Sequence, residues 1–246
     1  VTIPSKLAGT GFKEADTGVK LRILVGVEAL EKEGKTHFAL TAPGPLAVFD
    51  FDTGMEGVVH KFAGKKKIYV SDYRRLGNVM TNTPENWVLL WEKFKREYIA
   101  AMDAPEIRTV VLDTATEVWE LLRMARFGKL TQVMPYHYGP VNAEYRELIR
   151  KAYASGKNLI LLHKMKDEYV NDKRTGQLKR SGFSDTGFLV QVNVRLWRDE
   201  DNNFHLYVKD CRQSPEVAGL DLLNDMANFT TLATLVFPET TEKDWS

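Results

Sequence analysis

Glycine, lysine and threonine stand side by side at the end of the stretch Ala29-Leu30-Glu31-Lys32-Glu33-Gly34-Lys35-Thr36. The spacing is that of a phosphate-binding loop, G-x-x-x-x-G-K-[ST], with Ala29 in place of the first glycine. Such a loop turns its N–H groups inward onto phosphate oxygens. Lys35 is long enough to reach the β- and γ-phosphates of a nucleoside triphosphate. The Thr36 hydroxyl is placed to bind Mg2+ at a helix start, where the backbone favours anions. Ala29, Leu30, Glu31, Lys32, Glu33, Gly34, Lys35, Thr36 and His37 are therefore the candidate cradle for ATP and Mg2+. Glu31 and Glu33 are unusual company for phosphates, because like charges repel.

Two further acidic positions suit the same chemistry. Asp113 closes the apolar run Thr109-Val110-Val111-Leu112, the form of a Walker B aspartate that holds Mg2+ beside Thr36. Asp50 and Asp52 close the preceding apolar run, and a two-residue period puts them on one face. Asp52, nearer the strand's C-terminal edge, is the expected general base for an attacking water, with Glu56 second.

The elements that must position these residues alternate. Arg22–Val27, Leu46–Phe51, Lys67–Val70, Arg108–Asp113 and Asn158–His163 read as strands. Lys35–Ala42, a helix opening at Thr83-Pro84, Glu117–Arg126 and a helix ended by Gly156 read as the segments between them. Trp87, Trp91, Phe94 and Tyr98 recur at helical spacing and are expected in the core. Val190–Trp197 and His205–Lys209 read as a hairpin turning at Asp199–Asn203. Alternation of this kind predicts an α/β fold with a mostly parallel central sheet flanked by helices and a C-terminal β-hairpin. Residues 1–19 are expected to be an arm and residues 20–246 one domain.

Composition sets limits. The 246 residues carry 34 Lys+Arg against 33 Asp+Glu, so any nucleic-acid surface must be local. The single cysteine, Cys211, excludes an internal disulfide. No apolar run approaches the roughly 18 residues of a membrane span, and positions 1–20 lack the pattern of a secretory signal. A cytoplasmic protein without a membrane partner is expected.

Several phrases resemble the RecA/RadA-like recombinase ATPases, and among them the small phage Sak-type single-domain members. They are GKTHFALTAPGPLAVFDFDTGMEGV, TVVLDTATEVWELL, YGPVNAEYRELI and NLILLHKMKDEYV, which span most of residues 20 to 215. The resemblance implies a RecA-like P-loop core and an ATPase that assembles with copies of itself on single-stranded DNA, with a single-strand-binding protein as a further partner and a host cytoplasm as its setting. It implies a γ-phosphate sensor at His163 or Lys164. It also implies a mobile DNA-binding loop over 166–187, with Lys166, Lys173, Arg174, Lys179 and Arg180 on phosphates and Phe183 stacked on a base. The residues themselves also allow a solvated β-hairpin there, turning at Lys173–Gly176. The Thr131–Pro140 loop would be a second DNA-facing loop. Lys209 and Arg212 would reach the nucleotide of a neighbouring subunit, and Phe12-Lys13-Glu14-Ala15 matches an F-x-x-A subunit anchor. The residues alone leave two other readings open. One is a P-loop NTPase without DNA activity, such as a small-molecule kinase or regulatory NTPase. The other is a scaffold whose acidic phosphate loop has lost turnover.

Overall fold

The computed structural model describes residues 6, 9–74, 83–129 and 133–245. Strand β1 (Leu24–Ala29) is buried along its whole length, as its apolar sequence requires. It is followed by α1 (Lys35–Leu40), β2 (Leu46–Asp50), β3 (Ile68–Asp72), α2 (Pro84–Asp103), β4 (Thr109–Asp113) and α3 (Ala115–Phe127). The chain continues through α4 (Tyr138–Ser155), β5 (Asn158–Val170), β6 (Lys173–Arg180), α5 (Thr186–Leu189), β7 (Val192–Arg198), β8 (Phe204–Cys211), β9 (Asp221–Leu223) and α6 (Phe229–Val236). The strands form one sheet in the order β3-β2-β4-β5-β1-β7-β8-β9, with β6 paired to β5 alone. All pairs from β3 to β7 in that order are parallel; β7–β8, β8–β9 and β5–β6 are antiparallel. The α/β architecture is thus the expected one, and the C-terminal hairpin is β7–β8.

Alternation along the strands sorts side chains onto two faces. One core holds Val25, Val27, Ile160 and Leu162 with Phe38 of α1 and Phe229, Leu232 and Val236 of α6. The other holds Leu24, Val110, Leu112, Leu159 and Leu161 with the apolar stripes of α2, α3 and α4. Trp87, Trp91, Phe94 and Tyr98 are all buried there. Thr83 caps α2 by accepting from the Asn86 N–H, with Pro84 in the first turn. Glu144 joins the three helices: it accepts from Trp91 Nε1 at 2.7 Å and pairs with Arg126 and Lys95. Gly156 ends α4 at φ 72°, a left-handed conformation that costs glycine little. No described helix is long and apolar enough to cross a membrane.

Four sequence expectations need correction. The Thr131–Pro140 segment is not an open loop where it is described: Pro135–His137 forms a 3-10 turn and Tyr138 begins α4. Tyr138 packs edge-on against Phe127, while Tyr136 stays exposed. Residues 131 and 132 lie outside the described residues. The 166–187 stretch is also not a loop, since β5 runs on to Val170 and returns as β6. Its turn is Asn171–Asp172, both at positive φ, and not Lys173–Gly176. β2 stops at Asp50, so the strand period does not reach Asp52. Finally, α6 is not anticipated, although Asn228 caps it by accepting from Thr231 N.

The β7–β8 turn carries a titrating clasp. His205 stacks on Trp197 at 3.9 Å, with Nδ1 2.8 Å from Asp221 and Nε2 3.3 Å from Asp199. Desolvation opposes its charge, but the hydrogen bonds and charges of Asp221 and Asp199 outweigh it and raise the imidazole above its ordinary 6.5. A raised folded-state value means stability fully present below 6.5 and lost as pH climbs through the folded pKa. His205→Gln is therefore expected to lower the urea midpoint more at about pH 5.5 than at about pH 8.5. An equal loss at both would mean the clasp works uncharged.

Candidate nucleotide site

The Gly34-Lys35-Thr36 corner lies between β1 and α1, with Gly34 at φ 80° just ahead of the first helical residue. Lys35 Nζ folds back onto its own loop and donates to the Leu30 carbonyl at 2.6 Å and the Ala29 carbonyl at 3.1 Å. Burial lowers its pKa; the charges of Asp113 and Asp52 oppose that shift. Glu31 is exposed, and Glu33 keeps one carboxylate oxygen buried without a partner.

Thr36 Oγ1 donates to Asp113 Oδ2 at 2.7 Å, so the loop and the end of β4 meet as the spacing predicts. The donor set is a hydroxyl and a carboxylate, hard oxygens of the kind Mg2+ takes together with phosphate and water. Among the described residues no set of three or more His, Cys, Asp and Glu side chains could hold a metal by itself. Space is also reserved there. A Cβ added to Gly54 would stand 2.5 Å from Thr36 Oγ1 and 2.9 Å from Asp113 Oδ2. When bound, Mg2+ would draw charge from the phosphates, with Thr36 and Asp113 holding it. Burial pushes the Asp113 carboxyl up to about 6; the Thr36 hydrogen bond works against this, and Asp50 and Asp52 reinforce it.

Asp52 lies beside this pair. Its backbone N–H donates to Asp50 Oδ1 at 3.3 Å, and its Oδ2 is 3.3 Å from Lys164 Nζ. Asp50 itself is buried with Oδ2 lacking a hydrogen bond, and desolvation raises its pKa. Glu56 is exposed, 3.7 Å from Arg74, which is bound chiefly to Asp72. The geometry thus brings Lys35, Thr36, Asp113, Asp52 and Lys164 together and leaves Glu56 at the margin.

At the end of the core part of β5, strand alternation separates the two sensor candidates. Lys164 reaches Asp52 and, at 2.7 Å, Glu117 of α3. Desolvation opposes its charge, but Glu117 and Asp52 raise its pKa. His163 is fully buried on the other face, its Nδ1 3.1 Å from the Ser181 carbonyl. Burial, then Arg180 nearby, takes its imidazole down to about 3, so it is neutral at pH 7. His163 is therefore buried and neutral on the far face, and of the two sensor candidates Lys164 is the one beside Asp52.

The expected DNA contacts divide in the same way. Lys166, Lys173, Arg174 and Lys179 are exposed on the β5–β6 ribbon, with Arg174 paired to Asp167 at 2.6 Å. Phe183 is not available for base stacking: it is buried between Trp119 and Tyr145, at ring distances of 5.0 Å and 4.9 Å. Arg180 is also withdrawn, held by Glu28 at 3.3 Å and Asn193 at 2.7 Å. Glu28, only 1% exposed, in addition receives Arg195 at 2.7 Å and Lys209 at 2.8 Å. Lys209 thus faces Glu28 in its own chain. Arg212 donates to the Phe188 carbonyl past the far end of β8, away from the phosphate loop.

Gly54, Glu28, Glu117 and Arg74 escape a sequence reading. Only Glu28 leaves a clear trace, a lone charge inside an apolar strand. Phe204 is a further surprise: its ring edge would lie 2.8 Å from a Cβ on Gly34.

Among curated proteins, none matches the chain. The AAA domain family matches it over residues 25–189, from β1 through α5. That span includes the phosphate loop, the Thr36–Asp113 contact and Lys164, and on this match the chain belongs to the AAA-domain family of P-loop ATPases.

Proposed function

We propose that this chain is a Mg2+-dependent ATPase that acts on single-stranded DNA, a recombinase or annealing protein of the phage Sak type. The observation that carries the reading is the course of β5. The strand passes Lys164, which touches Asp52, and continues, with a register shift between Asp167 and Tyr169, into a ribbon bearing Lys166, Lys173, Arg174 and Lys179. A shift of Lys164 between Asp52 and a phosphate would move the base of the ribbon. By reciprocity, DNA on the ribbon would favour ATP.

In this reading Lys35 neutralises the β- and γ-phosphates, and Asp52 orients and deprotonates water. Arg212 serves the nucleotide of a second copy, and Lys209 joins it once released from Glu28. Residues 1–19 are an arm on the ATPase domain of residues 20–246, with Phe12, 64% exposed, as its anchor. The protein works in the cytoplasm of a host cell with a single-strand-binding protein.

An ATPase without DNA activity is the second reading, favoured by the burial of Phe183 and Arg180. ATP hydrolysis with and without single-stranded DNA separates the two. Added DNA is expected to speed the wild-type chain. In the Lys166→Ala, Lys173→Ala, Lys179→Ala variant the rate no longer rises with DNA, and the salt slope of binding is shallower by about 2, three fewer cations on a single strand. Equal wild-type rates with and without DNA would establish the second reading, and no hydrolysis at all a scaffold.

A further inference from the structure

The phosphate site has a polarity, and the aromatic residue at one end has no role so far. Thr36 leans toward Asp113 on β4, which marks the metal end of a bound triphosphate. In the sheet, β4 and β8 lie on opposite sides of β1. A nucleotide laid along the loop with its metal end at β4 would carry its other end toward β7 and β8. The residues that stand there are Arg198, at the end of β7, and Phe204, at the start of β8.

Phe204 is half-buried, its edge against Gly34. The Arg198 guanidinium lies 5.4 Å from the centre of its ring. Beside it, His37 follows Thr36 in the chain and packs on Phe62 at 5.2 Å. Burial, then the charges of Lys61, Arg198 and Lys65, lower the His37 pKa, so these cations lie within electrostatic reach of its ring. Among the described residues none of these three cations is paired with a carboxylate. An aromatic face, a cation behind it and unneutralised lysines nearby match the nucleoside end of a nucleotide: a flat base and the phosphate next to the sugar.

We propose that Phe204 is the platform on which the base of the bound nucleotide stacks, with Arg198 supporting the ring and Lys61 and Lys65 facing the phosphate beside the sugar. The assignment rests on the nucleotide reading of the phosphate loop, and it goes further by saying where affinity for the base arises. Loss of one base–aromatic stack is worth about tenfold in affinity.

The test compares MgATP with magnesium tripolyphosphate, which has the phosphates and no base, by calorimetric titration of the full chain. Wild type is expected to bind ATP more tightly than tripolyphosphate. Phe204→Leu keeps an apolar side chain against the core and is expected to weaken ATP about tenfold, leaving tripolyphosphate unchanged. Phe204→Trp is expected to restore ATP binding. If the leucine variant does not fold, Arg198→Gln, an exposed substitution, decides the matter by weakening ATP more than tripolyphosphate. Equal losses for both ligands, unchanged ATP affinity, or a wild type that binds both equally would overturn the platform. A wild type that binds neither would overturn the nucleotide reading itself, and the platform with it.

Discussion

Gly54→Ala is expected to cut ATP turnover by about a hundredfold while the protein stays folded. The added methyl would stand 2.5 Å from Thr36 Oγ1 and 2.9 Å from Asp113 Oδ2, closer than real Cβ contacts come. Neither neighbour is the far end of a flexible side chain. Thr36 has one rotatable side-chain bond to its hydroxyl, and Asp113 is only 2% exposed. One of the two must move, and displacing a catalytic group by about an ångström can cost about a hundredfold. Gly57→Ala is the control, because nothing lies within 4 Å of a Cβ there. Steady-state hydrolysis and thermal melting of both variants check the prediction. Wild-type turnover in Gly54→Ala would mean that the Thr36–Asp113 contact plays no part in the reaction.

Glu28→Gln is expected to destabilise the fold by about 3 kcal/mol, the usual scale for removing one member of a buried ion pair. Three cations converge on this carboxylate, and Arg180, with 13% of its side chain exposed, cannot turn to water in its place. Arg195 and Lys209 are over a third exposed and contribute less. The effect also has a pH signature. Desolvation works to raise the Glu28 pKa, but Lys209, Arg195 and Arg180 outweigh it and hold the group below 4.5. A depressed folded-state value gives stability that is present above 4.5 and lost as pH falls through the folded pKa. Urea titrations of wild type and variant should therefore differ at neutral pH and converge in acid. Identical midpoints at neutral pH would show that the cations hold their places without Glu28.

The parts of this molecule that were legible in the sequence are those where a period meets a core. β1, β2 and β4 are short apolar runs buried on both faces, and α2 shows its buried stripe and its Thr83-Pro84 start. Lys35 and Thr36 were legible because local spacing places them at the start of α1 just after β1, and Asp113 because it ends an apolar strand; the parallel sheet, with β5 between β1 and β4, brings the two to one edge. The 164–180 segment was legible only as an alternative, a hairpin with its turn misplaced, because beyond Lys164 the strand has no core beneath it and its pattern depends on β6 alone. α6 is masked by Thr230, Thr231 and Thr234, whose preference for strands competes with its apolar face. Phe183 and Arg180 are polar-segment residues that tertiary contacts draw inward, to Trp119 and Tyr145 in one case and Glu28 in the other. Spacing carries no record of such contacts. Gly54 is the plainest limit, since its importance lies in a volume that must stay empty.

β5 changes partners along its length. Its residues up to Lys164 pair with β1, and those from Met165 onward pair only with β6. The second stretch lies over no apolar layer, so its length is not tied to the dimensions of the domain. Two residues added to each arm would extend the ribbon by about 7 Å and leave every side chain of the core in register. The fold thus separates two quantities, the packing of the core and the length of the ribbon. The shape of the pocket is set by packing, whereas the reach of the arm is set only by how much chain is inserted at Asn171–Asp172.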